Sequence, residues 1–194
     1  MNRPNDTARL AETFDTVVLP HLDAAYRLAR WLIANEHDAE DAVQEACLRA
    51  LRYFPTFSGG NSRAWFLRVV RNTCYDWHSH TRQLATDVFD EEQHTGTTRT
   101  IDPETLTLQG ANVALIEHAM RDLPARLREL LVLRELDGFT YQELADVLGI
   151  PIGSVMSGLS RARHAFRRAL ETKLKRITGT LRSSQAHNGA PGTS

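Results

Sequence analysis

The sequence predicts an all-α protein built as two small helical domains joined by a flexible acidic linker, the second of them a helix-turn-helix domain. Apolar residues recur at three- and four-residue spacing in both halves of the 194-residue chain, and strand-like alternation is scarce. Between residues 81 and 110 that periodicity disappears, and Asp87, Asp90, Glu91, Glu92, Asp102 and Glu104 sit among Thr, Gln and Gly. Further on, Thr140-Tyr141-Gln142-Glu143 reads as a capping box, followed at close spacing by a small residue, a glycine and a second apolar-periodic run.

Three helices are expected in the first domain (residues 10–80), over residues 17–33, 39–54 and 64–77, with Pro55, Gly59 and Gly60 breaking the pattern between the last two. A linker of about thirty residues spans roughly 30 Å as a coil and about 100 Å when extended, so its domains can reach sites a couple of DNA turns apart. The second domain (residues 111–176) resumes with Val113, Ile116, Met120 and Leu123. Pro124 suits the first turn of a helix carrying Leu127, Leu130, Leu131 and Leu133, and Gly138 closes it. Residues 177–194 carry no clear pattern and are expected to be disordered.

Composition narrows the class. Hydrophobic residues make up 42% and charged residues 24%, which excludes a collagen-like or wholly disordered chain. No apolar run is long enough to span a bilayer, and the start carries Asn2, Arg3, Asp6 and Arg9 rather than a signal-peptide core, so a cytoplasmic protein without membrane insertion is expected. Cys47 and Cys74 are expected as free, mostly buried thiols. A net charge of −1 argues against a general nucleic-acid coat, yet the distribution is polar: residues 12–45 are mainly acidic, whereas Arg161, Arg163, Arg167, Arg168, Lys173, Lys175 and Arg176 make the far end basic.

In the helix-turn-helix, Leu144, Ala145, Val147 and Leu148 form the inner face of one helix, Gly149 permits the turn, and Ile150 returns to the core. Val155 and Leu159 of the next helix face inward. Ser154, Met156, Ser157, Ser160, Arg161 and His164 are left on or near the outer side, where short polar groups beside arginine suit a major groove. Arg161 is the first base or phosphate contact; Arg163, Arg167 and Arg168 suit phosphates or a solvated face. One such unit buries only about 600–1,000 Å² on DNA, usually too little for tight binding by a monomer, so the first domain must supply a partner.

There, Asp41, Gln44, Glu45 and Leu48 share one helical side at i, i+3, i+4 and i+7, a pattern that by itself fits a solvated face. From Phe57 through Asn61 to Trp65, Arg68, Arg71, Asn72 and Trp77, aromatics and arginines interleave, as single-stranded nucleic acid requires. Trp65, Leu67, Val70, Cys74 and Trp77 fit a core at helical spacing, leaving Phe57, Asn61 and Asn72 as better base contacts.

Taken in order, residues 38–57, 62–77 and 123–168 resemble the extracytoplasmic-function group of bacterial sigma factors, over nearly everything except linker and termini. The resemblance implies an RNA polymerase subunit without catalysis or cofactor. Asp41, Gln44, Glu45, Leu48 and Arg49 would dock on the clamp helices of the core polymerase. Phe57, Asn61, Arg68, Arg71 and Asn72 would capture the melted minus-10 strand, and Ser154, Ser157, Ser160, Arg161 and Arg163 would bind the duplex minus-35 element. It also implies an anti-sigma factor as partner. The family commonly carries basic residues at the positions of Met156 and Gly158; their loss is expected to weaken phosphate attraction.

Two other readings fit fragments of the sequence. A polymerase-independent helix-turn-helix regulator would use the same second domain, but leaves residues 57–77 unexplained. A metal enzyme could pair Cys74 with His78 at i,i+4, but lacks a convincing third and fourth ligand.

Overall fold

A computed structural model describes residues 13–86 and 108–187. Most of the expected linker, residues 87–107, and the end of the expected tail, residues 188–194, lie outside the described residues. No strand occurs among those described.

The first helix expected from residue 17 is interrupted by a 3-10 turn, Leu19–His21, because Pro20 cannot donate to a continuing helix. Helix α1 (Leu22–Leu32) then buries Ala24, Ala25, Leu28, Ala29 and Leu32 along one face. The Asn35 side chain accepts from the His37 and Asp38 amides and starts α2 (Glu36–Tyr53). The inner face of α2 is a stripe of alanines, Ala39, Ala42, Ala46 and Ala50, so its backbone lies close to its neighbours. Helix α3 (Ser62–Thr86) is capped by the Asn61 side chain, which accepts from the Ala64 amide at 3.0 Å. It buries Phe66, Leu67, Val70 and Cys74 against α1 and α2 and continues nine residues beyond the expected end at Trp77.

The second domain comprises α4 (Leu108–Arg121), α5 (Ala125–Leu131), α6 (Tyr141–Leu148) and α7 (Ile152–His187). Arg128 ties the turn before α5 together: its guanidinium donates to the carbonyls of Met120, Arg121 and Leu123 at 2.9–3.1 Å. These carbonyls lie at and just beyond the end of α4, where a cation also meets the negative pole of the helix. Past α5, a π-helical turn (Val132–Leu136) widens the backbone before Asp137.

The capping box forms as expected. The Thr140 hydroxyl accepts from the Glu143 amide at 3.2 Å, and the Glu143 carboxylate accepts from the Thr140 amide at 2.7 Å. Gly149 ends α6 at φ 66°, a left-handed conformation that a Cβ would strain.

Two expectations are corrected. Helix α7 does not stop near residue 176 but runs to His187. No proline occurs between Pro151 and Pro191, and Ile177 and Leu181 extend the four- and three-residue spacing begun by Leu170 and Leu174, so the helix continues there. Gly158 is not an outward position that has lost a cation. It is buried, and a Cβ there would meet Leu130 Cδ1 at 2.8 Å, so the glycine exists to let α7 approach α5. Met156, 55% exposed, does face outward as expected.

The two domains pack on each other. Buried residues of both belong to one continuous hydrophobic cluster, with α1 against α5 and α3 against α6. Both cysteines are free thiols, Cys74 buried and Cys47 half-buried.

Two outcomes follow from this packing. Gly158→Lys is expected to destabilise the protein by about 1–3 kcal/mol through overpacking, without strengthening DNA binding, as thermal unfolding and a DNA titration would reveal. Burial pushes the Cys74 thiol up to about 12, and also raises Cys47, whose side chain stays partly accessible. Cys74 is therefore expected to resist alkylation of the native protein at mildly alkaline pH while Cys47 reacts; peptide mass spectrometry before and after denaturation measures the difference.

Candidate nucleic-acid interface

Three sets of residues project from this scaffold. On α2, the alanine stripe fixes which side faces inward, so Asp41, Gln44 and Leu48 emerge on the opposite side; Leu48 is 56% exposed. Glu45 and Arg49 are less free than the other three. Arg49 bonds Glu45 at 2.9 Å and reaches Asp76 on α3 at 2.5 Å, bracing the two helices. The carboxylates hold the Arg49 guanidinium firmly in its charged form.

Between α2 and α3 lies a groove of about 710 Å³. Its walls include Arg49, Arg68 and Arg71 with the aromatic rings of Tyr53, Trp65 and Tyr75. Asn72 stands exposed at the same groove. Phe57 is half-buried: its ring lies 4.9 Å from Trp65, a residue of the groove wall, and 6.1 Å from Phe54, forming a small aromatic cluster. The 3-10 turn Phe54–Thr56, shaped by Pro55, delivers Phe57 to that position. Sequence spacing assigned Trp65 to the core; the ring is only partly buried and contributes to the groove wall.

Two groove cations already hold partners from the second domain. Arg71 donates to Glu129 through Nε at 2.9 Å and Nη2 at 3.2 Å, and the Tyr75 hydroxyl donates to the same carboxylate at 3.1 Å. Burial, then the Glu129 charge, pushes Tyr75 up to about 12. Arg68 donates to the Asp146 carbonyl of α6. Asn61, besides capping α3, donates from Nδ2 to Glu143 Oε1 at 2.7 Å. The Glu143 carboxyl is held below its ordinary range, chiefly by the Thr140 amide.

Alongside, Arg27 pairs with Asp137 at 2.8 Å, and Arg63 donates to the Asp137 carbonyl while lying over the Phe139 ring. Arg128 crosses the boundary to the Trp31 carbonyl at 2.7 Å. Neither Glu129 nor Asp137 was singled out from the sequence. The available signal was a charged residue at a position flanked by buried leucines, Glu129 before Leu130 and Leu131, which helical spacing alone reads as a boundary of the apolar face.

On α7, Val155 and Leu159 point inward, and Ser154, Met156, Ser157, Ser160, Arg161, Arg163 and His164 are all exposed. Ser157 Oγ donates to the Ser154 carbonyl at 3.2 Å. Arg163 is turned toward the π turn, donating to Glu135 at 2.8 Å. The structure thus brings Arg68, Arg71 and Asn72 to one groove, sets Phe57 against Trp65 of its wall, does not place Asn61 in its lining, and keeps the α7 residues on a separate open face. Among the described residues no cluster of three or more His, Cys, Asp or Glu side chains could hold a metal. The side chain of His78, named as a possible partner of Cys74, lies outside those described.

Both halves of the chain resemble known proteins. Residues 17–83 match the Sigma-70 region 2 family and residues 114–166 match the Sigma-70 region 4 family. The chain is 31% identical over 170 residues to the RNA polymerase sigma-H factor of Pseudomonas aeruginosa, covering 84% of this chain and 88% of that protein. It is 31% identical over 147 residues to the ECF RNA polymerase sigma-E factor of Escherichia coli, covering 72% and 77%. Against the ECF sigma factor SigE of Mycolicibacterium smegmatis it is 29% identical over 155 residues, 80% of this chain, and spans 60% of that relative. Among solved structures, the sigma factor RpoE of Bartonella quintana, crystallised with the anti-sigma factor NepR, superposes with a TM-score of 0.65 at 27% identity, covering 82% of this chain and 98% of that one. With both regions matched in order and a groove-bearing α3 joined to an open helix-turn-helix, the chain belongs to the extracytoplasmic-function group of RNA polymerase sigma factors.

Proposed function

We propose that this sigma factor divides promoter recognition among three faces of the chain while catalysing no reaction itself. The carrying observation is the separation between the arginine-and-aromatic groove of α3 and the open serine-and-arginine face of α7. A duplex and an unpaired strand make different demands, and each face suits one of them. Ser154, Ser157, Ser160 and Arg161 are short or flexible donors on one helical side, able to enter the major groove of a minus-35 element, with Arg163 at a phosphate. Phe57, Asn61, Arg68, Arg71 and Asn72 suit the minus-10 strand: the stack and rings offer apolar surface to an unstacked base, amides address its edge, and guanidinium groups take the backbone.

The outer side of α2 supplies the third face. Asp41, Gln44 and Leu48, with Glu45 and Arg49 behind them, present an apolar residue framed by carboxylates, suited to a basic-edged helical partner on core polymerase. Holding both domains on one enzyme compensates for the small area that each could bury alone. An anti-sigma factor is the further partner that the family suggests, since the structural relative from Bartonella quintana was solved with one. Among the described residues no helix is long and apolar enough to cross a membrane.

Asp41→Arg combined with Leu48→Glu is expected to abolish pull-down of core polymerase while leaving the circular-dichroism spectrum and melting midpoint unchanged, because both side chains are exposed. Intact pull-down would remove α2 from the docking surface. Arg161→Ala is expected to lower transcription from a cognate promoter by roughly ten- to a hundredfold, the worth of about 1–3 kcal/mol of base discrimination, while core binding persists. Equal loss on templates with the minus-35 element scrambled and intact would assign Arg161 a phosphate role instead.

A further inference from the structure

We propose that Tyr53, the last residue of α2, is a stacking platform for a further unpaired base of the minus-10 strand, next to the base that α3 captures. This deepens the reading of the α3 groove as the minus-10 site and rests on it. Helical periodicity gives no reason to single Tyr53 out, because the residue stands where the pattern of α2 ends and Pro55 interrupts the chain.

The groove has two walls. Arg68 and Asn72 come from α3, whereas Arg49 and Tyr53 come from α2, one helical turn apart on the same side. The volume of about 710 Å³ falls within the roughly 300–1,000 Å³ of sites for drug-sized ligands, so a nucleotide fits between the walls. Tyr53 is 57% exposed, although the next residue, Phe54, is buried. Phe54 is held by the rings of Phe14, Phe57 and Trp65, with centroids 5.3–6.3 Å away. The Thr56 hydroxyl donates to the Tyr53 carbonyl at 2.6 Å and closes the end of the helix. The backbone at Tyr53 is thus fixed, while its ring and hydroxyl have no partner among the described residues. A lone exposed tyrosine would be ordinary; this one opens on a groove that also holds guanidinium groups.

Charge decides which way a strand would face. Glu45 and Asp76 both bond the Arg49 guanidinium, so the cation of the α2 wall is already neutralised. Arg68 donates to a backbone carbonyl and forms no ion pair among the described residues, so its charge is free to meet a phosphate. Phosphates are drawn toward Arg68 on α3, and the bases turn toward α2, where Tyr53 offers a π face beside cancelled charge. Stacking on an aromatic ring accepts any base, so the platform adds lifetime to the complex and little sequence preference.

The test uses holoenzyme assembled from core polymerase and the full-length chain. It is loaded on fork-junction DNA from a cognate promoter whose nontemplate strand is unpaired through the minus-10 element. Lifetimes under competitor challenge are compared at equal holoenzyme, quantified by pull-down of core enzyme. Tyr53→Ala is expected to shorten the lifetime roughly tenfold, and Tyr53→Phe, which keeps the ring, to stay within about twofold of the parent. Forks with one abasic site at successive unpaired positions then locate the base. At one position the abasic site and Tyr53→Ala together are expected to cost no more than either alone. Losses that multiply at every position, or an unchanged lifetime with Tyr53→Ala, would overturn the platform. An equal loss with Tyr53→Phe would assign the effect to the hydroxyl and overturn stacking. Arg68→Ala and Asn72→Ala on the same fork separate the proposal from the reading beneath it. If these shorten the lifetime and Tyr53→Ala does not, only the platform falls; if no variant does, the minus-10 reading falls with it.

Discussion

Two carboxylates buried at a domain boundary govern the arrangement of this protein. Removing Glu129 and Asp137 from water carries a desolvation penalty of several kcal/mol for each ion, offset only where guanidinium groups face them closely. Arg71 meets Glu129 with two hydrogen bonds and Tyr75 adds a third, so that site is well compensated. Asp137 receives Arg27 at one oxygen and leaves the other without a partner among the described residues, a deficit of about 1–3 kcal/mol. The orientation of α1 and α3 against α5 and α6 thus has to pair these charges while burying the apolar cluster that runs across the boundary.

Close approach is the second constraint. Alanines at residues 39, 42, 46 and 50 let α2 sit near α1 and α3, and Gly158 lets α7 lie against Leu130. Small residues on inner faces set how far the large outer side chains can project. Leu48 and Met156 are exposed because the helices bearing them are held tightly from behind. The groove side chains are set in the same way: Leu67, Val70 and Cys74 anchor α3, which leaves Arg68 and Asn72 exposed and Arg71 at the flank of the buried face.

Much of this was legible one residue at a time. The inward positions of α6, the capping box at Thr140, the turn at Gly149 and the outward side of α7 follow from local spacing and backbone preference, and each occurs where expected. The ends of α3 and α7 were less legible: polar residues follow Trp77 in α3, and in α7 Thr178, Gly179, Ser183 and Ser184 obscure the apolar spacing that Ile177 and Leu181 continue. Trp65 illustrates a subtler limit: spacing places it beside the core, but only the neighbouring Phe57 stack shows that one side of the ring stays at the groove.

The amino-acid sequence by itself determined most of the helices, the cap at Thr140 and the family, because these depend on contacts within a few residues and on motif order along the chain. Only the tertiary structure decided that Gly158 is a packing device, that Arg71 meets Glu129 from 58 residues away, and that Arg27 meets Asp137 across a separation of 110. Such contacts leave no periodic trace. A salt bridge between distant segments is specified by the relative placement of two whole domains, and no local pattern of residues encodes that placement.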